Sequence, residues 1–296
     1  MAIRKIITEK DAGKELRQFL KEELSFSGRF IKMLSEKTGC FLVNGRPVDV
    51  SFIVQAGDVF EFIIPEEERS ESVQPENIPL NIVFEDEWFI VIDKPAGIPS
   101  MTSWLHPTGT IANGILHYYD QKRLPYTVHV VTRLDRDTSG LMVVAKHQYS
   151  HSLFSRMQQA NQIERRYEAF VHGTLEHEAG TIELPIRRKA KSIIERVVAP
   201  DGQEAITHFS LIKQYERFAH VNIQLETGRT HQIRVHFSAI GHPLVGDDLY
   251  GGSTEMMKRQ ALHCSYLAFK HPYTKEPMSF NSPLPEDMKV LLDGNR

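Results

Sequence analysis

The chain has 296 residues, 41% of them apolar and 25% charged, which is the balance of an ordinary globular protein with room for one large domain and a small one. A formal net charge of −3 excludes a surface that is basic all over, so any grip on a polyanion must be local. Cys40 and Cys264 are the only cysteines; they exclude a disulfide framework or a cysteine zinc site and are expected as buried thiols. The charged amino terminus does not read as a signal peptide, and no apolar run reaches the roughly 20 residues of a spanning helix. The expected location is the cytoplasm, with no membrane contact.

In chain order, Leu16, Phe19, Leu20 and Leu24 fall at helical spacing, and Phe30, Ile31 and Leu34 do so again. They predict two amphipathic helices broken near Ser25 to Gly28. Cys40 to Val43, a turn at Asn44-Gly45, and Val59 to Ile64 after Gly57-Asp58 read as a small sheet. The solvent faces carry Lys14, Arg17, Lys21, Arg29, Lys32 and Lys37, with Arg46 in the hairpin. Such density fits either a mixed-charge solvated surface or a phosphate-binding face.

Residues 66–79 are polar, acidic and aperiodic, the composition of a linker, which divides the chain into units 1–65 and 80–296. Beyond it, Phe89 to Ile92, Gly140 to Ala145, Tyr167 to Val171, Ala205 to Leu211 and His220 to Leu225 read as strands with helices between. This predicts an α+β unit with a large, mainly antiparallel sheet flanked by helices.

Candidate chemistry lies in separated patches. Asp93-Lys94-Pro95-Ala96-Gly97 ends a strand in a turn. Arg133 to Gly140 packs Arg133, Asp135, Arg136 and Asp137 immediately before an apolar run, where a rigid strand can aim a reactive carboxylate. From Glu226 onward, Thr230 is expected to cap a helix with Ile233, Phe237 and Ile240 on its core face and Gly241 at its end. Arg229 would stand at that helix's amino-terminal end, which suits a carboxylate or phosphate partner.

His231 and His236, five apart, sit about 140° around a helix and cannot share a metal. His147 and His151, four apart, lack a third ligand, so no metal site is predicted. With no Walker loop, dinucleotide fingerprint or nucleophile elbow either, the working expectation is chemistry without a cofactor.

Two resemblances organise these residues. Positions 12 to 65, with a second basic helix opening at Ser27-Gly28-Arg29 and then Val43-Asn44-Gly45-Arg46-Pro47-Val48, resemble an S-four-like RNA-binding domain. Arg133-Leu134-Asp135-Arg136-Asp137-Thr138-Ser139-Gly140 carries the Arg-Leu-Asp-x-x-Thr-Ser-Gly hallmark of the RluA/RluD-type pseudouridine synthases. Asp93 to Gly97, Arg166 to Gly173, Thr227 to Arg234 and Gly241 to Asp247 match in the same order, so the resemblance covers about 80 to 285. Where the family commonly has His before Arg-Leu-Asp this sequence has Thr132, with His129 three residues earlier.

The resemblance implies that Asp135 is the essential carboxylate, acting on a uridine in RNA. Such a group could serve as nucleophile on base or ribose, or as a base removing a ribose proton. Arg229 is expected to pair with Asp135, with Arg234 as second candidate. Tyr167 would stack on the flipped uracil and serve a late proton transfer, and Ile233 would pack from the other side. Arg133 is placed to enter the gap left by the flipped base, while Lys94 and Arg136 could hold phosphates.

The implied target is large-subunit ribosomal RNA, with transfer RNA as the alternative. No obligate protein partner is indicated, and a monomer is the default. A catalytically silent RNA-binding protein is the rival reading, but Asp135, Tyr167 and Arg229 are all present. A hydrolase using Asp135 and Asp137 is disfavoured, because carboxylates two apart on one tight loop rarely straddle a sugar bond.

Overall fold

The computed structural model describes residues 2–37 and 39–294. The amino-terminal part runs β1 (Ala2–Ile6), α1 (Leu16–Glu22), α2 (Gly28–Ser35), β2 (Phe41–Val43), β3 (Arg46–Pro47) and β4 (Val59–Ile63). These strands form a four-stranded sheet in the order β1-β4-β2-β3. Both helices lie where the apolar spacing predicts them, and Ser27 caps α2 by accepting from Phe30 N at 3.1 Å. Strand β1 was not foreseen: it shows one buried position among five, too little alternation to register as a pattern.

The rest of the chain runs β5 (Ile82–Glu85), β6 (Phe89–Lys94), α3 (Ile111–Gln121), β7 (His129–Val130), β8 (Ser139–Ala145), α4 (Gln148–Gln159) and β9 (Glu164–His172). It continues through β10 (Ala179–Glu183), β11 (Ile186–Arg188), β12 (Arg196–Val198), β13 (Ile206–Gln214), β14 (Phe218–Leu225) and α5 (Gln232–Ala239). Strands β15 (Leu262–Lys270) and β16 (Pro277–Asn281) and helix α6 (Glu286–Asp293) complete it. A ten-stranded sheet has the path β10-β13-β14-β9-β15-β8-β6-β5, with β16 beside β15 and β7 beside β8. The architecture is the α+β class predicted.

All of these pairings are antiparallel except one. Strands β15 and β8 run parallel over His263↔Ser139 and Cys264↔Gly140, and this short seam joins the two halves of the sheet. Gly140 sits there at φ +109°, and a Cβ on it would lie 2.3 Å from Cys264 O. Only glycine allows the two backbones this close approach. Strand β8 is buried at all seven positions, as its unbroken apolar run requires when both faces are covered. Cys40 and Cys264 are buried free thiols.

The polar stretch 66–79 is strapped to the larger part. Arg69 donates to Tyr126 O at 2.9 Å and Leu124 O at 3.1 Å and pairs with Asp120. Glu67 pairs with His129 and accepts from Gln148 N at 2.6 Å. Beyond the strap, Tyr149 on α4 stacks on Phe30, meets Phe26 at a tilt and Phe62 edge-on, and its hydroxyl donates to Leu24 O at 2.9 Å. Buried side chains of both parts join one apolar cluster.

Candidate active site

The loop between β7 and β8 carries Asp135 at the floor of a cleft of about 1350 Å³. Its geometry is fixed from several sides. Ser100 Oγ donates to Leu134 O at 2.7 Å and accepts from Leu134 N at 3.1 Å. Thr138 N closes a turn onto Asp135 O at 3.1 Å, and Thr138 Oγ1 accepts from Gln260 at 3.2 Å. His263 Nε2 donates to Ser282 O, which leaves Nδ1 to accept from the Ser139 hydroxyl at 2.9 Å. Thr132, at the position where the family commonly has His, is buried, and its Oγ1 accepts from Val143 N at 2.9 Å.

Lys94 does not face phosphate. It is fully buried, and Nζ donates to Pro95 O, Ile98 O and Arg136 O at 2.8, 2.8 and 2.9 Å. Three carbonyls match the three donors of an ammonium, so the residue staples the 94–98 bend to the Asp135 loop. Burial pushes Lys94 down to about 7, against the charges of Asp137 and Asp135. Arg136 turns back onto Asp137 at 2.9 Å, which spends its charge locally.

The partner of Asp135 is Arg234, with Nη1 donating to Oδ2 at 3.2 Å. Arg229 is directed elsewhere: its Nε donates to Glu204 O at 2.8 Å. The reason lies in the start of α5. His231, not Thr230, stands at the helix boundary, in the left-handed conformation at φ 56° and with no side-chain cap. Helix begins only at Gln232, so Arg234 occupies its first turn and points into the cleft. Gln232 replaces the missing cap from inside: its Oε1 accepts from Arg229 N at 2.9 Å and Thr227 Oγ1 at 2.8 Å, and its Nε2 donates to Ile206 O. Ile233 and Phe237 are buried as expected, but Ile240, beyond the last turn, is 37% exposed.

Arg234 is a buried hub. Its Nε and Nη2 engage both oxygens of the buried Asp247 at 2.7 and 2.8 Å, and its guanidinium lies 5.0 Å from the centroid of the Tyr250 ring. Burial opposes the charge, but hydrogen bonds and attraction from Asp247 and then Asp135 outweigh it and raise the pKa. The bidentate pair fixes the fork so that Nη1 is left for Asp135. Among the described residues nothing donates to Asp135 Oδ1, which therefore faces the cleft.

Two members of this site are not marked as such by the sequence patterns: His231 enters there only as a rejected metal ligand, and Tyr250 not at all. His231 Nδ1 lies 2.8 Å from Tyr250 Oη, and its Nε2 lies 3.8 Å from Asp135 Oδ2. Tyr250 Oη accepts from Arg196 N at 3.0 Å. Burial pushes His231 below the ordinary imidazole range, Asp135 pulling the other way. Their signal is the polar stretch Thr230-His231-Gln232 and, beyond the helix, Asp247-Asp248-Leu249-Tyr250; nothing local in the sequence shows that the two meet around a buried Arg234.

Tyr167 on β9 and Ile233 are both buried and line the same cleft as Asp135. Burial pushes the Tyr167 phenol up, Arg165 opposing and Cys264 and Asp135 adding to it, so the hydroxyl keeps its proton. Arg133 is exposed at the lip. Arg165, Arg196 and Arg229 also line the cleft, giving the local cationic surface that a net charge of −3 leaves room for.

Residues 88–239 match the model of the RNA pseudouridylate synthases. The chain belongs to that family. It is an isomerase of uridine in RNA, and the resemblance drawn from the Arg-Leu-Asp loop holds at this level. The chain is 48% identical over 272 residues to the uncharacterized RNA pseudouridine synthase YjbO of Bacillus subtilis, covering 92% of this chain and 96% of that one. It is 39% identical over 254 residues to the ribosomal large subunit pseudouridine synthase D of Haemophilus influenzae, covering 81% and 78%. The solved structure of human RNA pseudouridylate synthase domain containing 1 has the same fold, with a TM-score of 0.59 at 21% identity, covering 74% of this chain and 95% of that one.

Within the family frame, Asp135, Arg234, Tyr167 and Ile233 converge on the cleft, with Arg133 at its mouth. Arg229 lines the wall without touching Asp135. In the amino-terminal part Lys14 is withdrawn from any phosphate role: its Nζ is held by Asp11 at 2.6 Å and Glu22 at 2.8 Å. Arg17, Lys21, Arg29, Lys32 and Arg46 are exposed.

Proposed function

We propose that Asp135 carries the isomerisation, acting without a cofactor on a uridine extruded from large-subunit ribosomal RNA in the cytoplasm. The observation that carries this reading is the asymmetric carboxylate. Oδ2 is tied by Arg234, itself locked by Asp247, while Oδ1 is open to the cleft beside Tyr167 and Ile233. A carboxylate aimed into a cleft is what cleavage of the bond from ribose to ring N1 demands of a single group, whether it attacks base or ribose or takes a ribose proton.

The base must then turn in place and bond to ribose through C5, losing the proton there and gaining one at N1. Atoms balance without an oxidant or donor. Tyr167 and Ile233 supply faces between which a flat base could turn without escaping. Arg133 is long, charged and exposed, and suits the gap the base leaves. Ribosomal RNA is favoured by the name of the Haemophilus relative. Residues 12–65, in this reading, are an S-four-like RNA-binding module whose exposed Arg29, Lys32 and Arg46 contact phosphates.

The test is release of tritium from RNA labelled at C5 of uridine. The unmodified protein should release it, and Asp135→Asn should fall to background while still binding RNA. Release that survives Asp135→Asn would remove the assignment. Mapping pseudouridine in ribosomal and transfer RNA from a strain lacking the gene identifies the target.

A further inference from the structure

Trp104 is 87% exposed, and its neighbour Leu105 is 48% exposed. The other tryptophan, Trp88, is buried at 5%. Trp104 and Leu105 leave a flat aromatic face and an aliphatic neighbour together in water, a surface that an aromatic partner can cover.

The loop that carries Trp104 is bolted down. Pro99 O accepts from Ile111 N, and Ser100 exchanges hydrogen bonds with Leu134, the residue before Asp135. Ser103 and His106 close a tight turn around Trp104 with paired backbone bonds of 2.9 and 3.1 Å. Gly109 N donates to Glu76 Oε2 at 3.0 Å. Met101, Thr102, Ser103 and His106 line the cleft that holds Asp135, whereas Trp104 is not part of the lining; Trp104 therefore stands outside the cleft, next to its wall, on a frame fixed to the Asp135 loop.

The occupant is set by the surroundings. The same cleft presents Arg133, Arg136, Arg165, Arg196, Arg229 and Arg234 against Asp135, Glu164 and Glu226, a cationic excess that suits a polyanion. Extruding one nucleotide also unstacks its neighbours, whose faces then need an aromatic cover. We propose that Trp104 is a stacking platform for an unpaired RNA base flanking the target uridine. This rests on the cleft being the RNA site, as proposed above.

The two tryptophans make the test direct, since Trp88 is silent to solvent. Full-length protein carrying Asp135→Asn is titrated with fluorescein-labelled oligouridylate of about ten nucleotides and with an abasic ribose-phosphate chain of equal length. Anisotropy reports binding, and tryptophan emission reports the indole. Oligouridylate should quench the exposed emission, and the abasic chain should bind without quenching. Adding Trp104→Ala should abolish the quench and weaken oligouridylate about tenfold, leave the abasic chain unchanged, and be rescued in affinity by Trp104→Phe.

With Asp135 intact, Trp104→Ala should raise KM for RNA in the tritium assay and leave kcat alone. Binding without any change in emission, equal affinity for Trp104→Ala and its parent, or an emission shift that follows protein concentration without RNA would each overturn the proposal. Binding is read without turnover, so a failure here is separable from a failure of Asp135 as the chemical group.

Discussion

Arg234 shows how one side chain can set a site. The guanidinium serves two carboxylates, one fully buried and one lining the cleft, and the buried one decides where the fork points. Replacing it with lysine keeps the charge but loses the bidentate bond to Asp247, whose side chain is wholly enclosed. Arg234→Lys should therefore lower unfolding stability by about 2–4 kcal/mol and collapse kcat in the tritium assay. Arg229→Ala should instead raise KM with kcat little changed; a loss confined to kcat would return Arg229 to the role that its place before the helix suggested. Asp135 stands out in the sequence as a candidate because the pattern of its loop is local. Its partner could not, because the choice between Arg229 and Arg234 depends on a one-residue matter, the left-handed turn at His231 that delays the helix.

Helix α4 carries an unusual device at its start. His147 is its N-cap, with Nδ1 accepting from Ser150 N at 3.1 Å, so the ring must be neutral there. Burial pushes His147 from 6.5 to about 4, with Glu67 pulling up and His129 pushing down. A base whose folded value is depressed contributes stability that is complete above its unfolded value and is lost as pH falls toward the folded one. Between pH 6.5 and 4 this amounts to about 3 kcal/mol. His147→Asn keeps a cap and removes the titration, so urea unfolding of the variant should lose less stability over that range than the parent; equal slopes would refute the cap's role. Most elements near the site were readable from periodicity, as β6, β8, β9, β13 and β14 show. Strand β15 was not, since Leu-His-Cys-Ser-Tyr mixes polar and apolar residues in a strand enclosed on both edges, and its histidine reads as buried only once Ser139 and Ser282 are seen beside it.

At the scale of the molecule, the amino-terminal part and the larger part share an apolar core through Tyr149, and the 66–79 stretch is a strap rather than a tether. Composition alone reported the polarity of that stretch; the bonds from Arg69 and Glu67 that hold it down join residues more than 50 positions apart and leave no local pattern. Deleting residues 1–70 would thus strip cover from Tyr149 as well as remove cations, and would confuse stability with binding. The triple variant Arg29→Ala, Lys32→Ala, Arg46→Ala leaves the core intact. It should weaken RNA binding and reduce the slope of log affinity against log salt by about 2–3, with Tm unchanged. An unaltered slope would free these residues from any contact with phosphate.

The parallel seam between β8 and β15 has a bearing on the life of the newly made chain. Asp135 leaves the ribosome well before Leu262 to Lys270, yet the sheet halves that carry the Asp135 loop and its surroundings join only through that late strand. At about 5–20 residues per second, about 6–25 seconds of synthesis separate Asp135 from the start of β15 at Leu262. Before that strand exists, the β5-β6-β8 half and the β9-β14-β13-β10 half of the sheet have no strand in common.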